Sequence, residues 1–161
     1  MKENREYLCG VRILLNEILY DVDFVSWKIA NCRIEDAQQR AEAQTDAESK
    51  EWIIRQIECA IGEITKCIEA YVIGRSRFVS NELKEQPEWN INLHMEEGWN
   101  GSPERLSKLI HNAIVSHVLA KWFILVKADE APTWEADYQQ HLQKIAAEAR
   151  STKGINVLFR L

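Results

Sequence analysis

The chain has 161 residues, 46% of them hydrophobic, 28% charged and 9% aromatic, enough to bury a core and unlike a disordered tail. Six Gly and three Pro argue against a turn-rich β-sandwich. Twenty Lys and Arg against 25 Asp and Glu give a net charge of −5, which weighs against a generic nucleic-acid binder with a basic face.

The N-terminus, Met1 to Tyr7, leads into a charged helical pattern and lacks a signal peptide's apolar stretch and small-residue cleavage site. Leu8, Val11, Leu15, Ile18, Val22, Val25, Ile29 and Cys32 alternate in steps of three and four, the spacing of an a/d seam. The pattern predicts a first helix over about 4–33. Residues 35–51 hold alanine but no large apolar side chain, so they read as an exposed connection. Thr45 and Glu48 have capping-box spacing and place the start of a second helix there. That helix carries Ile54, Ile57, Ile61, Ile64, Ile68 and Tyr71 and ends near Gly74. Matched seams predict that the first two helices pack as an antiparallel hairpin.

Trp89-Asn90-Ile91-Asn92-Leu93-His94-Met95 alternates apolar and polar residues strictly, which predicts a strand with one covered face. Ser102-Pro103-Glu104 is a helix start: a cap, a proline at the first position and an acid in the first turn. The third helix, to about Lys127, is apolar nearly all round and belongs at the centre of the domain. No apolar run is expected to reach the roughly 18–20 residues that span a bilayer. Asp129 and Pro132 separate it from a fourth helix striped by Trp134, Tyr138, Leu142, Ile145 and Ala149. The segment Ile155-Asn156-Val157-Leu158-Phe159-Arg160-Leu161 is apolar and strand-like, and requires a covering surface. The expectation is a single, mainly α domain over 1–161. It is four-helix bundle-like, with two long N-terminal helices and a small β element joining about 89–95 to 155–161.

Motifs of chemistry are sparse. Cys9, Cys32, Cys59 and Cys67 form no C-x-x-C, and read as reduced core or boundary thiols. His94, His111, His117 and His141 include no i,i+4 metal pair, and His117 reads as a hydrogen-bonded histidine on a packed face. Acid pairs such as Asp21/Asp23 and Glu96/Glu97 read as solvated surface, and Arg75-Ser76-Arg77 as a helix-end basic spot. No catalytic residue, cofactor or metal ligand is expected. The candidate residues are those of an assembly interface: Trp89, Ile91, Leu93, Trp99, Ile155, Val157, Leu158 and Phe159.

The block Leu109-Ile110-His111-Asn112-Ala113-Ile114-Val115-Ser116-His117-Val118-Leu119-Ala120-Lys121-Trp122-Phe123, a Pro-Trp break, and then Tyr138-Gln139-Gln140-His141-Leu142-Gln143-Lys144-Ile145 carries a further signal. A buried helix, an acidic turn, an aromatic-bearing helix and an apolar tail, preceded by a helix from Ile53 to Tyr71, resemble the head–tail connector (adaptor) proteins of tailed bacteriophages and Mu-like prophages. The resemblance covers about residues 45–161. It implies a non-enzymatic subunit of the virion, assembled in the bacterial cytoplasm. Such subunits form a ring, commonly dodecameric, between portal and tail proteins, with DNA passing through without specific contact and no membrane involved. Two other readings stand beside it: a helical protein–protein interaction module using the first seam as a coiled coil, and a helix-bundle metal-dependent enzyme.

Overall fold

A computed structural model describes residues 7–31, 47–74, 77–79 and 87–152. The elements are β1 (Tyr7–Leu14), α1 (Leu15–Asn31), α2 (Ala47–Cys67), a short 3₁₀ turn (Glu69–Tyr71), β2 (Arg77–Val79), β3 (Glu88–Met95), α3 (Pro103–Val126) and α4 (Ala131–Ala149). The protein is mainly helical, with a three-stranded antiparallel sheet in the order β1-β3-β2.

The first helix is shorter than its seam. Residues 7–14 form a strand, not a helix, and α1 begins only at Leu15. Cys9, Val11 and Ile13 alternate with Leu8, Gly10 and Arg12, and the first three are buried. Period 2 therefore wins over the 3,4 spacing, and Gly10 is a poor mid-helix residue. β1 pairs along its whole length with β3, setting Cys9 opposite Leu93, Val11 opposite Ile91 and Ile13 opposite Trp89. Arg12 pairs with the buried carboxylate of Glu88 on the other face, and the Leu15 amide donates to the Pro87 carbonyl at 3.1 Å, fixing α1 to the start of β3.

β3 is the central strand. Its second edge takes β2 at Glu88–Asn90. Farther along, Val72 bridges Leu93 and the Ile73 amide donates to the Asn92 carbonyl at 2.8 Å. The expected partner of this strand, residues 155–161, lies outside the described residues, and so do Thr45 and Cys32. β1 fills one edge of β3.

α3 is the hub. α1, α2, α4 and β1 all pack on it. α1 and α2 thus find their main partner in α3, and the hairpin expected between them is not the organising contact. α1 runs in the same direction as α3, since Asp21 meets His111 and, one turn on, Val25 and Val115 line a common groove. α4 returns antiparallel, carrying Glu148 back to Ser102. The α3 start is built as its sequence indicates: Ser102 Oγ accepts from the Arg105 amide at 3.3 Å, with Pro103 at the first position. By length and composition α3 is long and apolar enough to cross a membrane, contrary to the expectation from the sequence, but 56% of its apolar window is buried by the rest of the fold.

Between β3 and α3 the chain turns at Glu96–Trp99, closed by the Trp99 amide on the Glu96 carbonyl at 3.0 Å, with Gly98 at φ +86°. A positive φ at the third turn position favours glycine. The Trp99 indole then lies on Gly101 and donates from Nε1 to the Glu148 carbonyl at 2.8 Å. A Cβ on residue 101 would fall 2.4 Å from that ring, so the site requires glycine for close approach.

Candidate functional site

The residues expected at an assembly interface divide sharply. Trp89, Ile91 and Leu93 are buried in the chain's own core, at 2% exposure or less. Their alternation reports folding, and they have no surface to offer a partner. Trp99 is half-buried and hydrogen-bonded to α4. Ile155, Val157, Leu158 and Phe159 lie outside the described residues.

Three polar clusters connect the helices instead. In the first, His111 Nε2 on α3 meets Asp21 Oδ2 on α1 at 2.6 Å, so Asp21 is a partner in an interhelical contact and not plain solvated surface. In the second, Ser116 donates its hydroxyl proton to Asp137 Oδ2, while His141 Nδ1 donates to the Asp137 carbonyl at 2.8 Å and stands 3.3 Å from the same Oδ2. The carboxylate here sits between hydroxyl and imidazole. A serine nucleophile needs the imidazole in the middle, to take the hydroxyl proton, with the carboxylate behind it. The observed order joins α3 to α4 and does not set up that proton transfer.

The third cluster joins α3 to both α4 and α2. His117 is 3% exposed, and neither ring nitrogen has a hydrogen-bond partner. This differs from the hydrogen-bonded histidine expected from the sequence. Its ring meets Tyr138 edge-on with centroids 4.9 Å apart, and Tyr138 donates its hydroxyl to Glu63 on α2. Burial holds the imidazole below its ordinary pKa; Glu63 and Glu135 oppose that shift and Lys121 adds to it. Burial, then the Glu63 hydrogen bond, pushes the Tyr138 phenol well above its usual value.

Among the described residues, no group of three or more His, Cys, Asp or Glu side chains is placed to hold a metal ion. Cys9 is buried on β1, where desolvation and then Glu104 raise its thiol pKa, while Cys59 and Cys67 are exposed on α2. The grooves along α1 and α3, lined by Arg12, Glu17, Asp21, Lys108 and His111, are shallow and open.

The surface holds a feature that the sequence reading passed over. α1 buries Leu15, Ile18, Leu19 and Val22, yet also exposes Tyr20, Phe24 and Trp27. At the far end of α3, Ile124 and Leu125 are exposed as well. The signal was present as off-seam aromatics at steps of four and three. No family model, curated protein or solved structure matches the chain.

Proposed function

We propose that this chain is a structural subunit of a phage-type head–tail connector, an adaptor that forms a ring between portal and tail without catalytic chemistry of its own. The observation that carries the reading is the exposed apolar surface, made of the aromatic row of α1 and the Ile124–Leu125 end of α3. Ring contacts are head to tail, so each subunit needs two different adhesive faces. Exposed apolar patches of this kind mark interaction sites. The order of α2, α3 and α4 and the apolar 155–161 segment support the same resemblance to connector proteins. The net charge of −5 suits a wall past which DNA slides without sticking.

A helical interaction module outside any virion is the second reading. The exposed α1 row favours it independently of ring formation.

The test is electron microscopy of the purified chain mixed with the portal protein encoded nearest to it. Ring-shaped density seated on the portal is expected. A portal that stays bare at saturating concentrations overturns the connector reading and leaves the interaction module.

A further inference from the structure

Tyr20, Phe24 and Trp27 are 69%, 44% and 48% exposed. At 100° per residue they fall within about 60° of arc, opposite the buried face of α1. The Tyr20 and Phe24 rings stack nearly parallel with centroids 6.3 Å apart, and Lys28 Nζ stands 4.7 Å from the Phe24 centroid. Steps of four and three are those of a helix-pairing seam.

We infer that this row is where two copies of the free chain pair, α1 against α1 in opposite directions. Tyr20 of one copy then lies opposite Trp27 of the other, with Phe24 next to the two-fold axis.

The charges beside the row select both the occupant and the direction. Glu17, Asp21 and Lys28 lie on one flank, acids toward the N-terminal end and the base toward the C-terminal end. Antiparallel pairing brings this flank against itself and sets Lys28 of each copy beside Glu17 of the other, whereas parallel pairing turns it against the Asp23 flank of the other copy and leaves Glu17 without a base. Asp21 is held by His111 of its own chain. Asp23, on the other flank, is half-buried and engaged within its own chain. The row is therefore complementary to itself. Three half-exposed aromatics per copy bury on the order of 600 Å² in a pair, below the size of stable complexes, so pairing is reversible and concentration-dependent. A two-fold contact closes at two copies and is distinct from the head-to-tail contacts of a ring. The inference concerns the free subunit and does not rest on the connector reading.

Sedimentation equilibrium of the intact chain tests it. The mass is expected to rise from one copy to two with concentration and to stop there. Phe24→Glu, at a surface position, should remain single at concentrations where the parent pairs, with unchanged circular dichroism, and Trp27→Ser should do the same. Lys28→Glu should weaken pairing by about fivefold or more, and Lys28→Glu with Glu17→Lys should restore it. For direction, Tyr20→Cys and Trp27→Cys chains, each with Cys32, Cys59 and Cys67 changed to Ser, are mixed and oxidised at concentrations well above those at which the parent pairs, where the weakened contact is still populated. Disulfides between the two variants are expected. Tyr20→Cys crosslinking to itself would overturn the antiparallel arrangement. Association unchanged by Phe24→Glu and Trp27→Ser, or a parent that stays single at every concentration, would overturn the site. Rings on the portal formed by Phe24→Glu bear only on the connector reading.

Discussion

The imidazole of His117 meets the phenol of Tyr138 edge-on, with ring centroids 4.9 Å apart and no hydrogen bond to either imidazole nitrogen. A neutral imidazole in that position is sealed between α2, α3 and α4. Orphaned buried polar atoms cost about 1–3 kcal/mol each, and a charged ring there costs more.

That arrangement makes stability depend on pH. Unfolded histidine titrates near pH 6.5, and the folded His117 titrates lower because burial disfavours the cation. Between the two values the unfolded chain binds the extra proton. Stability is therefore full above about pH 6.5, falls as pH drops below it, and levels off below the folded pKa. The slope does not exceed about 1.4 kcal/mol per pH unit for one group. Thermal melts from pH 7.5 to 5 should show the loss, and His117→Leu should flatten that part of the curve. An identical acid slope in the variant would assign the effect to other groups.

Tyr138→Phe removes the hydroxyl that reaches Glu63 and so unties α4 from α2. The expected loss is about 1 kcal/mol, typical of one hydrogen bond to a partly exposed carboxylate. Urea unfolding should show a lower midpoint with an unchanged slope. An unchanged midpoint would mean that the bond contributes nothing net.

Ile61 is buried on α2, together with Ile57 and Ile64. Ile61→Ala should cost roughly 2–5 kcal/mol through lost burial and the cavity left behind. A variant that melts with the parent would show that this side of α2 is not core.

Gly101→Ala drives a methyl group into the Trp99 ring. A loss of roughly 1–3 kcal/mol is expected from overpacking. In a Trp99→Ala background the same change should cost little, so a double-mutant cycle in thermal melts should show strong coupling. Equal costs in both backgrounds would place the strain elsewhere.

Much of the helical architecture was legible because its signals are local. Ser102 and Pro103 mark the start of α3, its all-round apolarity places it at the centre, and alternation from Trp89 to Met95 marks β3. β1 was not legible, because Leu8, Val11 and Leu15 obey a helical spacing while Cys9, Val11, Ile13 and Leu15 obey a strand spacing. The choice is made by β3, eighty residues downstream, which no local pattern encodes. The polar clusters are equally non-local, for Asp21 meets His111 and Glu63 meets Tyr138 across long stretches of chain. Trp89, Ile91 and Leu93 looked free to bind a partner only because the layers covering them were not visible. The α1 aromatics lie off the apolar seam, and a spacing of four and three does not by itself say whether a face is covered or exposed.

The proposed connector role is tested most directly by the molar mass, from light scattering behind size exclusion, of the chain mixed with a candidate portal protein. The account predicts a closed complex that holds many copies of the chain in fixed ratio to the portal. A chain that elutes apart from the portal, at its own mass under every condition, would contradict it.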